Sequence, residues 1–158
     1  MLESLMIASR RGGFTMVELM VVIAVIAVLL TVAAPSLREQ LARRTLEGAA
    51  NELSADLQYA RSQTVSRNAD VVLSTTAGGY TVCCDASAAN YKAITLDPSL
   101  SLTAGVTVTY SALRAMSNVA TLDLTSSRTS ATLRLGTNLM GRVTLCSPGG
   151  SLKGYPAC

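Results

Sequence analysis

The sequence predicts an α+β protein: a long N-terminal helix, membrane-spanning in its first half and kinked at Pro35, packed on an antiparallel β-sheet domain. Three observations predict it. An apolar run follows a basic head, helical periodicity then continues to about Arg67, and from Asp70 onward Thr, Ser, Val and Leu alternate between frequent turn residues. The expected organisation is 1–13 as a leader, 14–34 as a transmembrane helix, 35–67 as an amphipathic helix and 68–158 as a β-rich globular domain.

The stretch Arg10–Pro35 reads RRGGFTMVELMVVIAVIAVLLTVAAP, and between Leu19 and Ala34 Thr31 alone has a polar side chain. Counted from Phe14 the run makes about 31 Å of helix, enough for a hydrocarbon core of about 30 Å. Glu18 stands out inside it, because an ionised side chain at membrane depth costs at least about 2.5 kcal/mol and needs a partner. Cleavage between Gly13 and Phe14 supplies one. The new amine of Phe14 lies one helical turn before Glu18, and a neighbouring subunit's amine would serve equally if such helices bundle. Gly12 and Gly13 give a protease an extended, unhindered backbone before the cut.

On these residues the chain resembles the type IV pilin and pseudopilin family: a short basic leader, Gly13 before Phe14, Glu18 at the fifth position after the cut, then an apolar helix interrupted by Pro35. The resemblance implies that a prepilin peptidase removes the leader and methylates the Phe14 amine. It also implies that Glu18 guides docking among major and other minor pilins, and that the protein sits in the inner membrane before it enters a filament. An ordinary export signal fits less well. Its nearest cleavage candidate, Ala33-Ala34, is followed by Pro35, a poor residue after a scissile bond, and a plain single-pass anchor leaves Glu18 unexplained.

Beyond Pro35 the apolar positions Leu37, Leu41, Thr45, Ala49, Leu53, Leu57 and Ala60 recur at spacings of three or four, which predicts one packing stripe. Glu39 and Arg43 sit four apart in the favourable order, whereas Glu52 and Asp56 repel at the same spacing. The β region predicts roughly six or seven short strands. Val71–Leu73 and Tyr80–Cys83 flank a hairpin at Thr75–Gly79, and Tyr91–Leu96 ends at Asp97-Pro98. Val106–Tyr110 alternates as a half-buried strand should. Val119–Leu124 and Thr132–Leu135 flank a turn at Ser126-Ser127-Arg128, and Leu139–Cys146 closes the sheet.

The formal charge of +3 falls by one when Glu3, Arg10 and Arg11 leave with the leader, too little to argue for nucleic-acid binding by charge alone. The chain has no His, so a nucleophilic Ser or Cys lacks its usual base, and Asp85 and Asp97 lie in loops with nothing to bring them together. Catalysis is not expected. The four Cys have no zinc spacing, so neither a metal nor a cofactor is expected, and beside an export leader they point to disulfides. Of the three pairings open to them, Cys146–Cys158 is favoured because Pro148, Gly149, Gly150 and Gly154 would let the tail curl back. Cys83 and Cys84 either face opposite sides of a strand with one left free, or pair across to the tail.

Two further stretches narrow the resemblance. Leu57-Gln58-Tyr59-Ala60-Arg61-Ser62 through Arg67-Asn68, and the Gly141-Arg142 strand near the C-terminus, resemble the FimT/FimU-type minor pilins, which share a domain with the H-type minor pseudopilin of type II secretion. The resemblance implies a subunit that initiates or caps a type IV pilus, or alternatively a minor pseudopilin of a secretion system. Some FimT proteins bind double-stranded DNA through a Gly-Arg-x-Arg motif. Here Arg142 matches its first arginine while Thr144 replaces the second, which leaves Arg142, Lys153 and Arg134 as candidate DNA contacts.

Overall fold

The computed structural model describes residues 13–84, 91–150 and 152–158, without the side chains of Val32 and Cys84. The expected leader, apart from Gly13, lies outside the described residues, as does Asp85. The chain forms two compact units that divide between Arg38 and Glu39.

Helix α1 (Met16–Arg67) belongs to both units. It begins at Thr15, whose hydroxyl accepts the Glu18 N–H at 3.2 Å while its carbonyl accepts the Leu19 N–H at 3.1 Å. The helical path breaks between Thr31 and Ala33, one turn before Pro35. Proline offers no N–H to the Thr31 carbonyl and its ring crowds that carbonyl, so the effect of Pro35 falls on the turn preceding it. No single helix is long and apolar enough to cross a membrane, whereas Met16–Thr31 and Ala33–Arg67 taken together meet that test. The few hydroxyls here are satisfied within the helix: Thr31 donates to the Val28 carbonyl at 2.7 Å and Ser36 to that of Ala33 at 2.9 Å. At the far end Asn68 adopts φ 50°, the left-handed conformation that stops a helix.

Among the described residues the second unit holds eight strands in two antiparallel four-stranded sheets, one more strand than the upper expectation. One sheet has the order β3 (Lys92–Thr95), β2 (Gly79–Cys84), β1 (Val71–Thr76), β5 (Thr107–Tyr110). The other has the order β4 (Leu100–Leu102), β6 (Ala120–Ser126), β7 (Thr132–Thr137), β8 (Val143–Cys146). The first hairpin is tighter than expected, because Thr75 and Thr76 remain in β1 and Thr76 pairs with Gly79 across a turn at Ala77-Gly78. Strand β4 has no counterpart among the expected strands. It is only a Leu-Ser-Leu triplet after an Asp97 turn, in which the carboxylate accepts the Ser99 N–H at 2.8 Å and the Ser99 hydroxyl at 2.6 Å. So short a run carries little period-two signal of its own.

A single core joins α1 to both sheets. Leu46, Ala50, Leu53, Leu57 and Ala60 meet Val71, Leu73, Tyr80, Val82, Val108 and Tyr110 from one sheet, and Leu122, Leu124, Leu133 and Leu135 from the other. The helix stripe therefore differs from expectation over its first turns. Ala42, Leu46 and Ala50 are buried, while Leu37, Leu41 and Thr45 are exposed. Both lines have helical spacing one residue apart, about 100° around the axis. The buried line sets alanines on either side of Leu46, which lets the sheets approach the helix backbone. From Leu53 to Ala60 expectation and structure coincide.

The expected repulsion between Glu52 and Asp56 is relieved by a cation. Lys92 Nζ lies 2.7 Å from Asp56 Oδ1 and 3.8 Å from Glu52 Oε1. The Tyr80 hydroxyl donates to Asp56 Oδ2 at 2.8 Å. Asp56 is buried, so this pair of donors is what allows a carboxylate there. Burial first, then the bond to Asp56, pushes the Tyr80 phenol above its ordinary range, and the bond to Asp56 raises Lys92.

The C-terminal tail is closed by the Cys146–Cys158 disulfide. Gly149, Gly150 and Gly154 all take positive φ, which permits the curl. Ser147 donates its N–H to the Pro156 carbonyl at 2.9 Å and bridges to Ala157. With both tail cysteines engaged, the pairing of Cys83 or Cys84 across to the tail is not adopted. Cys83 is half-buried near the end of β2, opposite Val72.

Candidate functional site

The first candidate region is the head of α1. Gly13, Phe14 and Thr15 precede the helix and are exposed, so the Gly13–Phe14 bond lies on accessible, non-helical backbone. Glu18 is exposed in the first turn. Thr15 and Glu18 are three residues apart, with the threonine hydroxyl on the Glu18 N–H; this is one half of a capping box. The Thr-x-x-Glu spacing is visible in the sequence, and it gives Glu18 a local role in starting the helix besides any contact with an amine. From Gly13 to Leu41 every described side chain is exposed, whichever side of the helix it lies on.

The second region lies within the globular unit, where the last turns of α1 face the β7–β8 connection. Gln58, Arg61 and Val65 form one wall and Met140, Gly141 and Arg142 the other, around an open groove of about 1000 Å³. The loop that carries Arg142 is tied by Asn138, whose side-chain oxygen accepts the Met140 N–H at 3.0 Å and the Arg142 N–H at 2.9 Å. Consequently β8 begins at Val143 and not at Leu139 as the sequence suggests. Gly141 has φ 71°, and a Cβ there would lie 2.9 Å from the Ala115 carbonyl oxygen and 3.2 Å from Arg61 Nε. The position thus needs glycine on two grounds, conformation and space. Below it the buried Tyr110 hydroxyl has no hydrogen-bond partner among the described residues, and burial raises its pKa against an opposing effect of Arg61.

The three cations that the sequence nominates as DNA contacts are not brought together. Arg142 lines the groove. Arg134 lies on β7 and is engaged by Asp123, with Nε 2.6 Å from Oδ1 and Nη2 2.8 Å from Oδ2. That guanidinium depresses the Asp123 carboxyl below its ordinary value. Since Arg134 pairs with Cys146 across the sheet, four residues along from Arg142, the two cations are set about 13 Å apart along the strand. Lys153 is exposed in the tail and does not line the groove. Thr144 donates its hydroxyl to the Gly136 carbonyl at 3.2 Å. The cation that does join Arg142 is Arg61, which in the sequence reads only as part of the helix motif.

Residues 49–155 match the family described as Type II transport protein GspH, and residues 8–34 match the prokaryotic N-terminal methylation motif. The chain belongs to the GspH family. Among solved structures, this GspH-family chain is similar to the type IV minor pilin FimU of Pseudomonas aeruginosa in two crystal forms. One gives 24% identity and a TM-score of 0.58, covering 67% of this chain and 94% of FimU. The other gives 24% and 0.55, covering 65% and 96%. At that identity the likeness concerns the fold. A search among curated protein sequences finds no match. Together the matches give the chain a GspH-family domain behind an N-terminal methylation motif, on a fold like that of FimU, and the family is one of structural subunits and not of enzymes. A hydrophobic N-terminal helix followed by a globular domain fits membrane anchoring.

Proposed function

We propose that the protein is a minor pilin that helps initiate or cap a type IV pilus. In this reading a prepilin peptidase removes 1–13 and methylates Phe14. The segment 14–34 anchors the chain in the inner membrane, with 35–67 and 68–158 on the periplasmic side until the subunit enters the filament beside major and other minor pilins. The observation that carries the reading is an apolar helix with every described side chain exposed, headed by an accessible Gly13–Phe14 bond and Glu18. In water such a surface would be strongly unfavourable, at about 25 cal/mol for each Å² of apolar area. Lipid first, and neighbouring helices later, would cover it. Glu18 would then meet a subunit amine in a medium where an unpaired charge is costly.

Mass spectrometry of the purified protein should find an N-terminus at methylated Phe14, and an N-terminus at Met1 would refute the processing. Glu18→Ala should leave membrane insertion intact and reduce incorporation into filaments at least tenfold by immunogold counting. Normal incorporation would remove the docking role. Because capping also involves Thr15 and Glu18, Glu18→Gln separates the two. It keeps a polar group suited to the capping box and removes the charge, so it should fail in docking as alanine does.

A second reading, a minor pseudopilin of a type II secretion system, is favoured by the family description matched over residues 49–155. Deletion of the gene distinguishes them: loss of surface pili supports the first, loss of secreted enzymes the second. The DNA-binding reading is less well supported, since Arg134 is engaged by Asp123 and Thr144 stands at the second arginine position.

A further inference from the structure

The groove between α1 and the β7–β8 connection has a definite chemical character. Among the described residues its lining includes two guanidinium groups, Arg61 and Arg142, and no carboxylate. Neither arginine forms an ion pair among the described residues, whereas Arg43, Lys92 and Arg134 are each matched to an acid. Val65 and Met140 add exposed apolar surface to the same walls. The neighbouring loop brings more: Ser117 binds the Leu139 carbonyl through its N–H at 3.2 Å and the Asn138 carbonyl through its hydroxyl at 2.8 Å. That holds exposed Leu113 and Val119 on a connection tied to the one bearing Leu139 and Met140. The groove also runs onto Val143, the first residue of β8, an edge strand of its sheet. Strand edges carry unpaired backbone donors and acceptors that an extended chain can meet.

We propose that this groove docks an extended segment of a partner protein whose side chains alternate acidic with apolar, the carboxylates meeting Arg61 and Arg142 and the apolar groups covering Val65 and Met140. Charge complementarity chooses this occupant. Two guanidinium groups in a concave wall without a compensating acid favour carboxylates. The apolar share of the walls and the lack of an aromatic platform for bases favour polypeptide over nucleic acid. The inference rests on the subunit reading only for the origin of the partner, a neighbouring subunit of the same assembly.

The test uses the full-length protein in detergent micelles and fluorescence anisotropy of a labelled decapeptide alternating leucine with glutamate. Its leucine–lysine and serine–glutamate counterparts and a short DNA duplex are run beside it. The leucine–glutamate peptide should bind saturably and more tightly than either counterpart. Arg61→Gln and Arg142→Gln should each weaken it about tenfold, the loss typical of a charge-assisted hydrogen bond. Ser62→Glu, an exposed change on the groove wall, should weaken it similarly by repulsion without touching the core. Equal affinity across these variants, equal affinity for the leucine–lysine peptide, or a duplex that displaces the peptide and itself depends on both arginines would each overturn the proposal. Glu18→Ala should bind the peptide as the wild type does. Failure of peptide binding therefore leaves the filament reading standing, and normal incorporation of Glu18→Ala leaves the groove standing.

Discussion

The two units of the chain treat apolar residues in opposite ways. Before Arg38, Val and Leu side chains point outward on every described face of the helix; Leu29 is 63% exposed. After Glu39 the helix buries one face, and Leu57 is fully covered by strands. The difference lies in what surrounds the residues, not in their type. Among its described residues the first unit has no strand and buries none of its apolar side chains within itself. The second makes its own cover from two sheets and can carry charge on its rim.

The sharpest way to break this contrast is to remove the same side chain from each unit. Leu57→Ala should lower the unfolding free energy of the globular unit by about 3 kcal/mol, because the cavity adds to the lost burial. Leu29→Ala should change it by less than about 0.5 kcal/mol. Urea unfolding of the full chain in detergent, followed by circular dichroism, reads both. Equal effects would erase the distinction.

A smaller effect is expected at the acid inside the second unit. Asp56→Ala leaves the buried Tyr80 hydroxyl without its acceptor, at a cost of about 2 kcal/mol, while Lys92 remains partly exposed and can turn to water. Adding Tyr80→Phe should recover part of that loss. If the double variant is no more stable than Asp56→Ala, the hydroxyl is not what makes the aspartate necessary.

The smallest effect concerns pH. Arg134 holds the Asp123 carboxyl below its ordinary value of 3.8. A depressed folded-state value means stability that is present above about pH 4 and lost as pH falls through the folded value. The side chains are 39% and 34% exposed, so solvent screening limits the contribution to about 1 kcal/mol or less. The stability gap between the wild type and Asp123→Asn should therefore shrink on acidification below about pH 4. A gap that stays constant would show that the pair is electrostatically idle.

The same contrast shows how far the sequence could be read. The apolar run with Glu18, the helix as far as Arg67, the alternating strands and a tail glycine-rich enough to close through Cys146 and Cys158 are legible because each depends on neighbours a few positions apart. Period and turn chemistry are local quantities. Tertiary structure alone decided that Leu46 and not Thr45 faces the sheets, that the β region divides into two sheets with an added strand at Leu100–Leu102, and that Asp123 engages Arg134. It alone also set Arg61 beside Arg142. Those outcomes depend on which strands lie side by side and on which face of α1 they meet. Side-chain periodicity along one segment does not contain that information.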